Sequence, residues 1–453
     1  MNQTPPKSSP QDAPVDSGGL PARRAAFALL DAVLTRKHAF DEAVEKVGAL
    51  SQLEAARDRG FARLLALTVL RRLGQIDQLV DRYMAHQPKG KAQSVRHVLR
   101  LGIAQMIFLG TPAHAAVDTS VALVAAERLD GFKGLVNAIL RKVAREGGEV
   151  ARKQQVARLN TPPWLRESWE RTYGEAATRA IGEAHLIEPP LDLTLRTPSE
   201  TAAWAETLGG RVIEEGTIRL DNAHDVRALP GFEEGAWWVQ DAAAAMPARI
   251  LAAAMGGLDA KHVIDLCAAP GGKTAQLAAA GAQVTAVDRS APRLIRLREN
   301  LARLQLQADV VVADGATWRP DVLADGVLLD APCTATGTLR RHPDIAHLKG
   351  PSDVARLAAL QTKLIGAAAQ MLTPGGVMVF ATCSLQPEEG EGALAAALEA
   401  GAPLERVAIA PETLGGFSDG LTRDGAFRSL PYSRAEEGGC DGFFAAVLRK
   451  RAG

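Results

Sequence analysis

The fold is decided by one segment, HVIDLCAAPGGKTAQLAAA at residues 262–280. Its first part, His262–Leu266, has the apolar and β-branched character of a buried strand. Its last part, Lys273–Ala280, has the pattern of a helix, and the small residues between the two parts form a glycine-rich turn. A strand, a tight turn and a helix in this order begin a βαβ unit, so the segment predicts an α/β domain.

The same alternation continues to the end of the chain. We predict further strands at 284–288, 310–312, 326–330, 376–380 and 442–448, with helices at 292–304 and 354–372. Strands separated by helices imply right-handed crossovers and therefore a mostly parallel, doubly wound sheet. Ligands of such sheets bind at the carboxyl ends of the strands, so the functional residues are expected there.

Upstream of this domain the pattern changes. Apolar residues recur with a helical period through residues 21–146, which predicts a compact all-α bundle, and the following stretch mixes helical and strand patterns. The first twenty residues are rich in Pro, Ser, Gln and Gly. We therefore predict a disordered tail (1–20), a helical domain (21–148), a small α+β connector (149–235) and the α/β domain (236–453).

Charge and cysteine usage exclude several classes of protein. The 52 basic and 52 acidic side chains balance, so the chain is not a wholly basic nucleic-acid binder. Residues 1–150 hold 21 basic against 15 acidic side chains, which would attract a polyanion but is equally compatible with solvated helix faces. The four cysteines, 267, 333, 383 and 440, form no C-x-x-C pair. A zinc site and a disulfide framework are not expected, and no metal is predicted.

No part of the sequence predicts a targeting signal or a membrane anchor. The first twenty residues have no apolar run, and no stretch approaches the ~20 apolar residues that a membrane span needs. We predict a cytoplasmic protein with free thiols and no membrane partner.

The glycine-rich turn is compared with two known phosphate-binding patterns. A P-loop requires glycine at the position of Cys267, and a dinucleotide fingerprint requires more glycines than the pair Gly271-Gly272. A turn of small residues before a helix still allows a nucleoside-type ligand to approach the backbone. Asp288, after the second strand, is placed to accept ribose hydroxyls or merely to cap the next helix, and Asp314 could accept from an adenine amino group.

Two cysteines and a further carboxylate follow later strands. Asp330 ends the fourth strand and is followed by Cys333, and Cys383 follows the fifth. A lone cysteine is usually a small buried hydrophobe, but two thiols at the edge where ligands bind are also suited to covalent chemistry. The residues alone are compatible with both a structural and a catalytic role for the two cysteines.

Four motifs of the α/β domain resemble the RNA cytosine-5 methyltransferases of the RsmB/Nop2/Sun superfamily. They are IDLCAAPGGKT at 264–274, DAPCTATG at 330–337, RRHPDI at 340–345 and ATCS at 381–384. In the helical part, PAHAAV at 112–117 and GLVNAILR at 134–141 are similar to the NusB-like RNA-binding domain of the RsmB branch. The resemblance implies a NusB-like bundle, a connector and a Rossmann-like class I methyltransferase domain.

The resemblance also implies a cofactor and catalytic roles. The cofactor is S-adenosylmethionine, bound through Cys267, Ala268, Ala269, Pro270, Gly271, Gly272, Lys273, Asp288, Asp314 and Asp330. Cys383 would be the nucleophile that adds to C6 of cytosine, Cys333 would help to remove the C5 proton and release the product, and Asp330 would hydrogen-bond the base near N3.

The expected substrate is a cytosine in 16S (small-subunit) ribosomal RNA, or its assembly intermediate, and a monomer is expected. The alternatives are a tRNA or large-subunit rRNA cytosine-5 methyltransferase, and a non-catalytic RNA-binding antitermination or assembly factor. Side chains considered for contact with RNA phosphates are Arg196, Arg340, Arg341 and His342, although a solvated surface role would explain each of them as well.

Overall fold

A computed structural model describes residues 19–84, 90–221 and 225–452. They form two compact units that divide between Asn160 and Thr161. The predicted disordered tail lies outside the described residues except for Gly19 and Leu20, and Leu20 already begins the first helix. Among the described residues no helix combines the length and apolar character needed to cross a membrane.

The first unit is helical throughout its described residues, as predicted. Its α-helices are α1 (Leu20–Leu30), α2 (Phe40–Val47), α3 (Ala56–Arg71), α4 (Leu73–Tyr83), α5 (Val95–Ile107), α6 (Ala113–Ala126), α7 (Lys133–Lys142), α8 (Gly148–Arg152) and α9 (Val156–Asn160). The apolar stripe of α5 is fully buried at Val98, Leu99 and Ile103. A Cβ on Gly102 would lie 2.7 Å from Leu140 Cδ1, so α5 and α7 approach closely because this position is glycine.

The first unit extends beyond its predicted end at residue 148. The backbone N–H of Gln75 donates to Asn160 Oδ1 at 3.1 Å, and Gln154 Nε2 donates to the Gln75 carbonyl at 2.9 Å. These hydrogen bonds join α9 and the residues before it to the start of α4. The boundary predicted at 148/149 is therefore corrected to 160/161.

The second unit begins with a helix and a small antiparallel sheet. Its elements are α10 (Pro163–Ala184), β1 (Leu191–Leu195), α11 (Thr201–Leu208), β2 (Arg211–Glu214), β3 (Thr217–Leu220) and β4 (Trp237–Val239). The strand order is β2-β3-β1-β4. Leu195 pairs with Trp237, so this sheet continues past residue 235, where the connector was predicted to end.

The large sheet occupies the rest of the second unit. Its elements are α12 (Ala242–Ala254), β5 (His262–Leu266), α13 (Gly272–Ala279), β6 (Gln283–Asp288), α14 (Ala291–Leu304), β7 (Asp309–Val312), β8 (Ala324–Asp330), α15 (Ile345–Leu348), α16 (Pro351–Met371), β9 (Leu372–Thr382), α17 (Glu391–Glu399), β10 (Leu404–Val407), β11 (Phe427–Arg428) and β12 (Phe444–Lys450). The order is β10-β12-β9-β8-β5-β6-β7, with β11 beside β12. Strands β5 to β9 are parallel, and β12 and β10 are antiparallel additions.

Helices cover both faces of this sheet, which confirms the doubly wound prediction. On one face, residues of α16 and α17 join the core formed by Ile264, Leu329 and Phe380. On the other face, α12 and α13 pack against Val263 and Leu328. Because β5, β6, β8 and β9 are parallel, their carboxyl ends meet at one edge, where Asp288, Asp330 and Cys383 were expected.

Candidate active site

The turn after β5 is held in place by its own backbone and by neighbouring strands. Cys267 has a φ of 61°, and Gly271, the N-cap of α13, has a φ of 104°. A Cβ on Gly271 would lie 2.8 Å from Leu297 Cγ of α14, so glycine serves both the conformation and the close packing. The N–H of Ala269 donates to Asp288 Oδ2 at 3.2 Å. This places the turn at the ends of β5 and β6, as predicted.

Asp265, the residue before the last of β5, is a fully buried carboxyl group. Its Oδ2 accepts a hydrogen bond from the Thr274 hydroxyl at 2.6 Å, and its Oδ1 has no hydrogen-bond partner. Burial raises the pKa of Asp265 to about 7, although the Thr274 hydrogen bond acts in the opposite direction. Asp265 is therefore a largely neutral group below pH 7.

This pKa predicts a pH-dependent stability difference between wild type and Asp265→Asn. Between about pH 4 and pH 7 the folded wild type keeps the proton that its unfolded chain has lost, so its stability falls as the pH rises. Asparagine cannot ionise, and its Oδ1 can still accept from Thr274. The free energy of unfolding of the variant should rise relative to wild type over this range, by about 4 kcal/mol at most. Urea unfolding at a series of pH values measures it, and a difference that stays constant with pH would contradict the assignment.

Asp288 and Asp314 lie near the carboxyl ends of β6 and β7. Asp288 is 4% exposed, and its Oδ1 accepts from the Ser290 N–H at 2.8 Å. The Arg293 side chain lies across it, with Nη1 at 3.8 Å from Asp288 Oδ2, while Nη2 donates to the Ala269 carbonyl. Each carboxylate oxygen of Asp288 retains acceptor capacity for a ribose hydroxyl, provided that Arg293 swings aside. Asp314 is exposed two residues beyond β7, and it accepts from the Ala316 N–H at 2.9 Å.

Lys273 and Asp330 form an ion pair beside the turn, with Lys273 Nζ at 2.7 Å from Asp330 Oδ2. Burial opposes the charge on Lys273, but the Asp330 carboxylate and its hydrogen bond raise the pKa of the ammonium above its usual range. The ammonium also lies 5.1 Å from the centre of the Phe443 ring and interacts electrostatically with Cys383. The positive charge of Lys273 is therefore close enough to Cys383 to interact with it.

The thiols of Cys333 and Cys383 lie side by side, with their Sγ atoms 3.4 Å apart. This distance is far longer than a disulfide bond, and both cysteines are free. A hydrogen bond with Cys383, together with burial, raises the pKa of the Cys333 thiol well above its usual range. Either sulfur can be the donor in this contact, and the raised pKa of Cys333 keeps that thiol protonated near neutral pH. The two cysteines, 50 positions apart in sequence, meet because β8 and β9 are neighbouring parallel strands.

The residues around the turn fit S-adenosylmethionine better than a dinucleotide. Burial, together with the charges of Asp288 and Asp330, raises the pKa of Cys267 to about 12, so acidic side chains lie near this turn. A negative environment suits a sulfonium cation and opposes a pyrophosphate. Asp288 would hold the ribose, Asp314 the adenine, and the turn from Cys267 to Gly272 would present its small residues to the ligand.

The structure shows intraprotein partners for three of the four side chains that were expected to contact RNA. Arg340 is 1% exposed and donates to the Gly438 carbonyl, so its guanidinium is not presented to RNA. Arg341 Nη2 lies 2.7 Å from Asp241 Oδ2, and its Nε lies 3.2 Å from Asp441 Oδ2. Arg196 donates to the Leu304 carbonyl at 3.0 Å. Intraprotein hydrogen bonds thus account for these three arginines, and His342 is partly exposed.

A buried glutamate that no sequence motif indicated forms hydrogen bonds with both cysteine loops. Glu389 accepts from the Thr334 N–H at 2.8 Å and from the Ser384 hydroxyl at 2.6 Å. In the sequence it belongs to Pro387-Glu388-Glu389, which has the appearance of a solvated helix start. In the sequence, the one signal of close packing at this position is the glycine that follows, Gly390; an added Cβ there would lie 3.0 Å from Phe444 Cδ1.

Comparisons with known proteins agree with this geometry. Residues 252–449 match the family described as 16S rRNA methyltransferase RsmB/F, and residues 20–145 match the NusB family. Ribosomal RNA small subunit methyltransferase B of Cronobacter sakazakii is 36% identical over 440 residues, which are 91% of this chain and 97% of that protein. The protein of the same name from Shigella boydii is 37% identical over 419 residues, 89% of this chain and 93% of that protein.

A solved structure extends the agreement to the fold. The crystal structure of PH0851 superimposes with a TM-score of 0.74 at 21% identity, covering 97% of this chain and 100% of that one. The chain matches nearly the whole length of relatives that are more than 30% identical to it. Its NusB match precedes its methyltransferase match along the chain. Together these matches show the family. The chain belongs to the S-adenosylmethionine-dependent ribosomal RNA small subunit methyltransferase B family, within the RsmB/Sun RNA methyltransferases.

Proposed function

We propose that this protein methylates C5 of a cytosine in 16S ribosomal RNA, in the cytoplasm, through a covalent bond between Cys383 and C6 of the base. One observation carries the proposal: two free thiols lie 3.4 Å apart beside the Lys273–Asp330 ion pair, at the edge of the sheet where ligands bind. When bound, S-adenosylmethionine supplies an electrophilic methyl group.

A nucleophile must add to the base because C5 of cytosine is too weakly nucleophilic to react unaided. We assign this role to Cys383. Addition of the Cys383 thiolate to C6 breaks the C5–C6 double bond and makes C5 enamine-like. The thiolate has a hydrogen-bond donor in Cys333 and an electrostatic partner in the Lys273 ammonium. Both groups stabilise negative charge on Cys383 rather than on Cys333.

The Lys273–Asp330 pair stabilises the negative charge that this addition creates on the base. The thiolate adds its electron pair at C6, and negative charge accumulates at N3. A carboxylate alone would repel that charge, but Lys273 Nζ donates a hydrogen bond to Asp330 Oδ2 at 2.7 Å. As charge builds on N3, the Lys273 proton moves to Asp330, whose carboxyl group then donates a hydrogen bond to N3, and the proton returns to Lys273 when the pyrimidine is restored.

Cys333 becomes able to act as a base only after Cys383 has reacted. In the free enzyme its hydrogen bond to Cys383 is the largest cause of its raised pKa. Once Cys383 is bonded to C6, it no longer carries a thiolate charge, and this cause is removed. After C5 has been methylated, Cys333 releases its own proton to water and its thiolate takes the C5 proton; the electrons of the broken C5–H bond re-form the C5–C6 double bond, and Cys383 leaves as a thiolate.

The choice of RNA rests on the relatives and on charge. The two relatives described above are named for the small ribosomal subunit, and residues 20–145 match the NusB family. Residues 1–150, with 21 basic and 15 acidic side chains, would favour a polyanion. A small-subunit RNA or its assembly intermediate is therefore the proposed partner, and a monomer remains a prediction.

Methyl transfer to separate RNAs tests both the reaction and the substrate. The full-length protein would be incubated with labelled S-adenosylmethionine and unmodified small-subunit rRNA, large-subunit rRNA or tRNA, each followed by nucleoside analysis. Preassembled small subunits would be tested in parallel. We expect 5-methylcytidine from the small-subunit RNA, free or assembled, and from no other RNA. Label only in tRNA or large-subunit rRNA would overturn the substrate, and bound cofactor without label in any RNA would favour a non-catalytic binding factor.

A further inference from the structure

Glu389 links the two loops that carry the active-site thiols. Its Oε1 accepts from the Thr334 N–H at 2.8 Å, and its Oε2 accepts from the hydroxyl groups of Thr334 and Ser384. Thr334 directly follows Cys333, and Ser384 directly follows Cys383. One carboxylate thus joins the residues next to both cysteines.

The hydroxyl groups around Glu389 form a closed network. Thr336 Oγ1 lies 3.2 Å from Ser384 Oγ, and it accepts from the Leu385 N–H at 3.0 Å. Ser384 Oγ accepts from the Gln386 N–H at 3.1 Å. Thr334, Thr336, Ser384 and Glu389 are all fully buried. Because each hydroxyl has a defined partner, the network fixes the side chains and the two loops together.

Burial of the Glu389 carboxylate opposes its ionisation, so hydrogen bonds from the protein must compensate for the cost of placing it there. Burial raises the pKa of Glu389, while the hydrogen bonds from Ser384 and Thr334 act against that shift. In the described part of the chain, no basic side chain forms an ion pair with Glu389. Its charge is therefore compensated by hydrogen bonds from the two cysteine loops, and these are retained only while both loops keep their positions.

Other buried side chains hold the two loops individually. Gln361 Nε2 donates to the Pro332 carbonyl at 2.9 Å, next to Cys333. Arg428 Nη1 donates to the Ser384 carbonyl at 2.7 Å, next to Cys383. Neither contact sets the distance between the loops, whereas Glu389 bonds directly to both.

We propose that Glu389 is a positioning residue that holds the Cys333 and Cys383 thiols at their working separation and so balances formation of the covalent RNA adduct against its release. The catalytic part of this inference rests on the proposed function. The geometric part concerns the two thiols alone, and it can be tested without RNA.

The rate of disulfide formation between the thiols measures their separation directly. Diamide oxidises two thiols to a disulfide and is itself reduced to the hydrazine, so it closes only pairs that meet. Full-length wild type, Glu389→Ala and Glu389→Gln would be treated below their unfolding temperatures, and the Cys333–Cys383 peptide pair followed by mass spectrometry. The matched control is Glu388→Gln, since Glu388 is the exposed neighbour.

We expect Glu389→Ala to form this disulfide at least ~10-fold more slowly than wild type, with unchanged affinity for S-adenosylmethionine. Glu389→Gln should recover part of the rate because its amide oxygen still accepts one hydrogen bond, and Glu388→Gln should match wild type. If Glu389→Ala does not fold, Thr334→Val tests the same link from the other side and should also slow the reaction. A folded Glu389→Ala that closes the disulfide at the wild-type rate would overturn the proposal.

Turnover separates this proposal from the proposed function. With active enzyme, Glu389→Gln should lower kcat, leave the KM for S-adenosylmethionine unchanged, and alter the ratio of trapped adduct to product. If wild type methylates no RNA but its disulfide rate still depends on Glu389, the proposed function fails and the positioning role stands. If methylation occurs and the disulfide rate does not depend on Glu389, only the positioning role fails.

Discussion

In the Cys333→Ala variant, a covalent protein–RNA complex should accumulate that survives denaturing electrophoresis, whereas Cys383→Ala should form none. The Cys333 variant keeps the nucleophile and can still add to C6, but it lacks the thiol placed 3.4 Å away to remove the C5 proton. Loss of a positioned proton-transfer group slows that step by about 10²–10⁴-fold, so release becomes limiting. The Cys383 variant lacks the attacking atom, and its methyl transfer should be undetectable.

Both variants should bind S-adenosylmethionine like wild type, which calorimetry can verify. Cys440→Ala is a suitable control, because Cys440 is buried beside the Leu430 carbonyl and contacts neither of the two thiols. It should turn over without accumulating an adduct. An adduct in Cys383→Ala and none in Cys333→Ala would reverse the two roles.

The second large effect is expected at Gly337, where Gly337→Ala should lower stability by about 3 kcal/mol or more. An added Cβ would lie 2.0 Å from the Gly442 carbonyl oxygen and 2.8 Å from the Cys383 carbonyl oxygen. Both obstacles are backbone atoms of residues that are hydrogen-bonded to Gly337: Gly337 N–H donates to the Cys383 carbonyl at 2.9 Å, and Gly442 N–H donates to the Gly337 carbonyl at 2.8 Å. Relief of the overlap must therefore displace the backbone of the nucleophile, and methyl transfer should fall as well.

Gly366→Ala provides the matched control for this substitution. Gly366 lies inside α16, and an added Cβ there would meet nothing within 4 Å. Alanine is the better helix former, so this variant should be unchanged or more stable by up to about 1 kcal/mol. Urea unfolding midpoints of the two variants give the comparison. A Gly337→Ala midpoint equal to that of Gly366→Ala would show that the loop can yield, contrary to the packing described here.

Local pattern was sufficient to predict the α/β core. His262–Leu266 is a strand within the predicted bounds, and the predicted helix at 354–372 is observed at Pro351–Met371. A strand buried on both faces is a continuous apolar run, and a helix with one buried face has apolar residues at a helical period. Both patterns can be recognised in a single sequence. The expected position of functional residues at strand ends follows from parallel pairing, which the alternation of elements also predicts.

Long-range contacts account for what the sequence did not predict. Gln75 and Asn160 are 85 positions apart, and their hydrogen bond extends the helical unit past the predicted boundary. Arg341 reaches Asp241 and Asp441, each 100 positions away, so an arginine considered for RNA contact also forms ion pairs within the protein. Glu389 differs from its exposed neighbour Glu388 only in its tertiary surroundings. Residue type alone does not reveal partners of this kind.

Small-subunit RNA that contains 5-fluorocytidine should trap the covalent bond between Cys383 and C6 of the cytosine. Fluorine at C5 cannot leave as a proton, so release is blocked even in the wild-type enzyme. With labelled S-adenosylmethionine, we predict a stable complex that contains the label, and peptide mapping should place the modified nucleoside on Cys383. A nucleoside attached to Cys333, or methyl transfer without any covalent complex, would contradict the mechanism.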